Sequence, residues 1–304
     1  MTWNRRQFVK ASSLGLLGAV GHNSRAVRYR FSQSTQGTSV STGGFGFRRV
    51  VDSIDWYYEL RGRGPTIVLI PSGEGDCGSF AKVAASLADE FTVLTFDMPG
   101  FSRSSDPPDF ANYSMSRAAG EVAALVRTLG VAPATFYGCS SGGRVALCLA
   151  TDHSEVVRKV AVHEVAGLPS TDSSLANLLT PLTMAGDDEI VRACKDIFRN
   201  RMNENAEAWD ALGVPFHRRL ERNYVTWVHR YVRQGLGRPP TSDELRGRPV
   251  TWTIGALTPA GSIFSNVVLA YGAGLRVALL ACKHFPQVSI PDVLADHIAK
   301  VARG

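Results

Sequence analysis

From residue 50 onward, short β-rich runs alternate with helical stretches, and the run Thr66–Ile70, TIVLI, is apolar throughout. A strand without a polar face has to be buried on both sides, as an inner strand of a parallel sheet wrapped by helices is. The same pattern predicts strands over 50–60 (a strand pair), 92–96, 134–137, 159–163, 249–254 and 275–281. Helical spacing falls over 79–88, 115–129 (stopped by Gly130), 142–150, 262–273 and 291–302. The alternation fails once. Residues 167–246 are helical and charged, contain Trp209 and Trp227, and offer no strand. So long a stretch is not a structureless loop, and it reads as a helical insertion. The chain is therefore expected to fold as an α/β core, residues 48–166 and 247–304, with a helical cap at 167–246.

The formal charge of +6 invites a nucleic-acid reading, but its location argues against one. Eight of the 33 basic residues lie within residues 1–50, which hold no Asp or Glu; the rest of the chain sets 25 bases against 27 acids. A body of net −2 offers no basic stripe to a phosphate backbone. No apolar run reaches the roughly 20 residues of a membrane-spanning helix. The five cysteines, at 77, 139, 148, 194 and 282, are odd in number and form no CxxC pair, so small buried thiols are expected. His163-Glu164 fails as a zinc motif because Gly167 stands where the second His would be. Neither a metal nor a cofactor is expected.

Residues 4–21 join Arg5-Arg6, Phe8 and Lys10 to about 11 mildly apolar residues, which resembles a twin-arginine export signal. Export to the periplasm or medium is the leading expectation. A mitochondrial presequence, or a misassigned start on a cytoplasmic protein, remains open. Residues 22–47 are rich in Ser, Thr, Gln and Gly, show no apolar period and read as a linker. Residues 1–47 hold no candidate for chemistry and should be dispensable for activity.

The strand expected at 134–137 runs directly into Gly138-Cys139-Ser140-Ser141-Gly142 and then a helix. The pattern G-x-S-x-G is common in a chain with 29 glycines, so its context decides. Between a strand and a helix it is a nucleophile elbow that holds the central Ser exposed. A hydroxyl needs a base, and the chain order of such sites puts a His after the last strand, where His284 stands. The loop 255–261 that commonly supplies the acid has no carboxylate, and no Asp or Glu lies between Leu245 and Pro291. Glu164, at the end of the strand after the elbow helix, is the alternative, with Asp97 competing from an earlier strand end; Asp97 is better placed to fix its own turn. The oxyanion donors are expected to be the N–H groups of Ser141 and Gly73.

The runs WYYELRGRGPTIVLIPSGEGDC (56–77), FDMPGFSRS (96–104), YGCSSGG (137–143), HE (163–164), NYVTW (223–227), WTIGALTP (252–259) and HFPQVSIPDV (284–293) resemble the zearalenone lactonases. These are α/β-hydrolases that open the ring ester of a fungal resorcylic macrolactone. The resemblance spans residues 50–302. It implies an α/β-hydrolase fold, a mostly parallel sheet flanked by helices with a helical cap, and a small-molecule lactone substrate. It also implies a Ser140–His284–Glu164 triad, with Trp227 lying against substrate and Tyr231 lining the pocket. It leaves a homodimer open. The departures are the leader, Ser72 where the family reads Asp in Pro-Asp-Gly, and Val232 where a Pro is expected; they bear on the substrate profile. Trp209 is expected to pack the cap onto the core, while Tyr224 joins Trp227 and Tyr231 in suiting a flat aromatic substrate. The competing functions are a general carboxylesterase, a carbon–carbon bond hydrolase, or a ligand receptor with a vestigial triad.

Overall fold

The computed structural model describes residues 46–168, 179–234 and 236–304; the leader reading falls outside the described residues. Eight strands form one sheet: β1 (Gly46–Val51), β2 (Ile54–Arg61), β3 (Thr66–Ile70), β4 (Thr92–Phe96), β5 (Ala134–Cys139), β6 (Val157–His163), β7 (Val250–Gly255) and β8 (Val277–Leu280). Their order is β1-β2-β4-β3-β5-β6-β7-β8. Pairing is parallel from β4 through β8, and antiparallel only where β2 meets β1 and β4. Four of the five residues of β3 and all six of β5 are buried, as strands covered on both faces must be.

The helices that cover the sheet are α1 (Ala81–Leu87), α2 (Met115–Thr128), α3 (Ser140–Asp152), α6 (Ala260–Gly272) and α7 (Pro291–Arg303). The Ser114 hydroxyl caps α2 by accepting from Arg117 N at 3.2 Å, and buried Ala118, Val122 and Leu125 turn one face of that helix to the core. Between β6 and β7 lie α4 (Asp187–Asp196), α5 (Val214–Thr226), shorter helical turns and two π-helical stretches, Ile197–Arg201 and Trp227–Val232. No strand occurs there among the described residues. The two ends of this insertion are gathered by one buried guanidinium: Arg144 of α3 donates to the carbonyls of Ala166, Gly167 and Gly237 at 3.2, 3.0 and 2.7 Å. No described helix is long and apolar enough to cross a membrane, and all five cysteines are buried free thiols.

Parallel register fixes where chemistry can sit. Ile70 pairs with Gly138, Cys139 with His163, and His163 with Thr253, so β3, β5, β6 and β7 end along one edge. Loops leaving those carboxyl ends converge over the sheet, the usual place for a ligand in an α/β fold. Asn266 on α6 stiffens that edge from behind. Its buried amide accepts from Val165 N (2.7 Å) and Trp252 Nε1 (3.0 Å) and donates to Val165 O (3.2 Å).

Two expectations about stability follow. Asn266→Leu leaves the Val165 N–H and the Trp252 indole N–H buried and unpaired, at a cost of about 2–4 kcal/mol. Urea unfolding should show that loss; an unchanged midpoint would contradict the role given to Asn266. The sheet also begins two residues before the expected start at Arg48: Gly46 pairs with Glu59, Phe47 with Tyr58, and the Phe47 and Tyr58 rings stack at 5.6 Å. A chain trimmed to begin at Gly46 should keep its kcat and Tm, whereas one beginning at Arg48 should melt lower. Equal melting of the two would show that this end of β1 contributes nothing.

Candidate active site

The elbow is built by exclusion of side chains. A Cβ on Gly138 would lie 2.2 Å from Gly142 O, and one on Gly142 would lie 2.5 Å from both Ile70 O and Pro71 O. Only glycine fits at either place. Between them Ser140 takes φ of +56°, a left-handed conformation that costs a serine about 1–3 kcal/mol and is held by the strand and helix on either side. Two contacts tie this turn to its neighbours. Cys139 Sγ donates to His284 O at 2.9 Å, and Ala166 N donates to Ser140 O at 3.1 Å. The three expected residues therefore sit on strand ends and loops stitched together next to the turn.

Glu164 follows β6 directly, has φ of +42° and is buried. Its Oε2 lies 2.6 Å from His284 Nδ1, and its Oε1 accepts from Gly255 N at 2.7 Å. Gly255 is required there, because a Cβ would meet Cys282 O at 2.4 Å and Glu164 Oε1 at 2.8 Å. Burial opposes ionisation of Glu164, but the hydrogen bond and charge of His284 outweigh it and hold the carboxyl at about 2. An ionised Glu164 accepts the Nδ1 proton, leaving His284 Nε2 as the basic nitrogen; Nε2 is buried and has no hydrogen-bond partner among the described residues. The His284 loop is anchored by the insertion: His284 N donates to Met202 O (3.0 Å) and Lys283 N to Glu204 Oε2 (2.8 Å).

The competing carboxylate is occupied elsewhere. Asp97 accepts from Cys77 N (2.9 Å), Arg103 N (3.0 Å) and the Arg103 guanidinium (2.7 Å to Nε). It fixes its own loop as expected and also reaches the loop after β3. His163 is not at the site either. Its ring nitrogens face Thr253 Oγ1 (3.0 Å) and Lys283 O (3.2 Å), and burial drives its imidazole down to about 4. Ligand atoms of Asp76, Cys77 and Asp97 lie within 4.8 Å of one another, yet both carboxylates already bind Arg103, and Asp76 also binds Arg219 at 2.6 Å. That donor set is an ion-pair network whose charge is already balanced.

Gly73 and Ser141 line one small cavity of about 10 Å³, together with Ser72, Trp227, Tyr231, Met98 and Phe101. Both expected oxyanion donors and all three expected substrate contacts thus line one cavity, whereas Ser140, Glu164 and His284 are not part of its lining. Met115 and Val145 complete the lining; they and Met98 carry no sequence signal for a site, since apolar residues on helices and loops read as core. A Cβ on Gly73 would sit 2.7 Å from Trp227 Nε1, so the indole lies directly on the loop after β3. The π-helical turn brings Trp227 and Tyr231 to the same cavity, and Tyr231 OH donates to Pro99 O at 3.2 Å. Trp209 packs as expected, stacked on Phe285 at 5.8 Å. Tyr224 departs from expectation: it packs on Phe198 at 5.0 Å and is absent from the cavity lining, because an ordinary α-helical turn points it into the insertion's own core.

A clamp that the sequence did not reveal holds α5 on the loop after β3. Asn223 donates to Glu74 O (2.7 Å) and accepts from Ser102 N (2.8 Å), while Arg219 binds Asp76. Burial resists ionisation of Asp76, but Arg219 and Arg103 keep its carboxyl below the usual range.

Residues 65–220 match a family model described as alpha/beta hydrolase fold. The chain is 37% identical over 257 residues to a zearalenone hydrolase of Bionectria ochroleuca, covering 83% of this chain and 95% of that one. It is 38% identical to a zearalenone hydrolase of Cladophialophora bantiana, over 83% and 94% of the two chains. Among solved structures it is similar to the enol-lactonase from Burkholderia xenovorans LB400, with a TM-score of 0.66, 22% identity, and 84% and 98% of the chains covered; that likeness concerns the fold.

The Glu164–His284 pair sets a pH dependence. A carboxyl lowered from 4.5 to about 2 contributes stability that is fully present above about pH 4.5 and is lost as the pH falls toward 2. Glu164→Gln should remove that part of the acid-side slope in urea midpoints measured between pH 5 and pH 2. An identical slope in wild type and variant would mean that the pair is not ionised as described.

Proposed function

The chain belongs to the α/β-hydrolase family and, within it, to the zearalenone hydrolases, and from that membership we propose that it opens the ring ester of a resorcylic macrolactone such as zearalenone by acyl transfer through Ser140, His284 and Glu164. The observation that carries the mechanism is the 2.6 Å contact between His284 Nδ1 and the buried Glu164, beside a serine held at positive φ on its elbow.

Ser140 Oγ attacks the lactone carbonyl carbon while His284 Nε2 takes its proton. Glu164 keeps the imidazole in the tautomer that leaves Nε2 free and stabilises the imidazolium. The negative oxygen of the tetrahedral intermediate sits between the N–H groups of Gly73 and Ser141, donors worth roughly 3–4 kcal/mol each in comparable sites. Collapse breaks the bond to the ring oxygen, which takes the proton from His284 and remains tethered as an alcohol. Water, deprotonated by His284, then attacks the acyl-serine and releases the carboxylic acid.

The helical insertion acts as a cap in this reading. Its Trp227 and Tyr231 offer flat apolar surfaces to an aromatic ring fused to a macrocycle, and Ser72 offers a neutral hydroxyl where the family reads a carboxylate. A cavity of about 10 Å³ holds roughly one water. A macrolactone does not fit that cavity, so seating its ring between Trp227 and Gly73 requires the indole to swing away, and opening of the cap precedes chemistry. Export by the leader belongs to this proposal as well, since a detoxifying hydrolase outside the cytoplasm meets its substrate before uptake.

Chromatography of zearalenone, its reduced alcohols and simple aryl esters after incubation with the protein tests the reading. Ring opening of the lactones is expected, and Ser140→Ala should abolish it, by at least about 10³-fold, without lowering Tm. Turnover of aryl esters alone would replace lactonase with general esterase, and binding without turnover would make the protein a receptor.

A further inference from the structure

A cleft of about 930 Å³ opens beside the cap and shares no residue with the reaction cavity. Phe110 lines it, and the Phe110 ring meets Tyr231, a wall of the reaction cavity, edge-on at 5.9 Å. The cleft is therefore one aromatic layer away from the site of chemistry.

Its charge is out of proportion to the rest of the molecule. Arg48, Arg103, Arg222, Arg230, Arg233 and His229 line it against one carboxylate, Asp106, although residues 51–304 carry more acids than bases. Arg48 is paired with Asp55, and Arg103 with Asp97. His229 Nε2 lies 3.4 Å from Asp187 Oδ1. Arg222, Arg230 and Arg233 are exposed and have no carboxylate partner among the described residues. They stand, with Thr226 and His229, on one side of the α5 and π-helical run, whose other side carries Asn223, Trp227 and Tyr231. The Arg230 guanidinium carbon lies 5.5 Å from the Phe110 ring centroid, so cationic rim and aromatic floor are adjacent.

Guanidinium forks match the oxygens of phosphate and sulfate, and an aromatic face accepts a flat organic group. Three guanidiniums without a carboxylate partner among the described residues line one concavity, and a bound dianion offsets their mutual repulsion. We propose that this cleft is a second ligand site, for a small organic phosphate or sulfate monoester whose anionic group binds Arg222, Arg230 and Arg233 and whose organic part lies on Phe110.

The test is calorimetric titration of the full chain with phenyl phosphate, and with inorganic phosphate, at an ionic strength held constant with sodium chloride. Saturable binding at one site is expected, tighter for phenyl phosphate because only it can use Phe110. The same titration should move the His229 ring resonances in NMR. The triple variant Arg222→Ala, Arg230→Ala, Arg233→Ala should bind at least about tenfold more weakly, while hydrolysing a neutral ester at the wild-type rate and keeping its Tm. Ser140→Ala should bind phenyl phosphate as wild type does, which separates this site from the proposed reaction. Heat that does not saturate, or that persists unchanged in the triple variant, overturns the proposal. Binding to phosphatidylglycerol vesicles without any response to phenyl phosphate overturns it too, and would make the cleft a membrane-facing surface.

Discussion

Removing a carboxylate from water costs several kcal/mol unless each oxygen is compensated, and at Glu164 the compensation shapes everything nearby. One oxygen takes the Gly255 N–H at the end of β7; the other takes His284 Nδ1 from the loop after β8. Both bonds require β6, β7 and β8 to end in register. They also require Gly255 to lack a side chain and Glu164 to accept a left-handed φ. The strain at Glu164 and at Ser140, about 1–3 kcal/mol each, persists because the sheet and its crossing helices over-determine both turns. A looser sheet would relax them and lose the geometry.

The second constraint is how the insertion meets the core. Its contacts near the loop after β3 are polar and directional: Arg219 with Asp76, and Asn223 with Glu74 O and Ser102 N. Apolar packing alone would let α5 slide, whereas buried hydrogen bonds with one geometry fix its register. That register sets Trp227 on Gly73. Phe198 and Trp209 each stack on Phe285 and meet each other at a tilt, so the residue next to His284 belongs to the same aromatic cluster that holds the insertion together. Trp227 meets that cluster edge-on at Phe198, 5.2 Å away, so its position is linked to that of His284 through Phe198 and Phe285.

The fold was legible because strand periodicity and full burial leave clear marks: Thr66–Ile70 and Thr92–Phe96 have the observed bounds, and other ends differ by a few residues where capping, not periodicity, decides. Chain order and the lack of any carboxylate between Leu245 and Pro291 mark Ser140, Glu164 and His284 in the sequence, and the structure adds the Glu164–His284 contact and the strained turn at Ser140. The clamp was not legible. Arg219 and Asn223 look like solvated helix residues, and their partners at positions 74, 76 and 102 are more than 100 residues away in sequence. His163 fits neither a base nor a zinc ligand in the sequence, and nothing there signals that it bridges Thr253 and Lys283 O next to Glu164. Tyr224 misled because helical spacing gives a face, while the π-helical turn that begins at Trp227 re-aims the residues after it.

Four carboxylates are buried around this edge, and burial does not distinguish them: Glu74, Asp76, Asp97 and Glu164 are all nearly inaccessible. Their partners do. Asp76 and Asp97 face guanidiniums, which keep their protons at any working pH, so these acids can only hold loops together. Glu74 accepts the Ser79 hydroxyl, and burial pushes its carboxyl up toward the neutral form. Glu164 alone among the four has an imidazole hydrogen-bonded to it. An imidazole gains and loses a proton within a reaction cycle near neutral pH, and a fixed negative charge beside it then favours the charged state that forms in the transition state over the neutral one that precedes it. Under the proposed mechanism a carboxylate contributes in this way only if its partner changes charge, and of the four only Glu164 has such a partner.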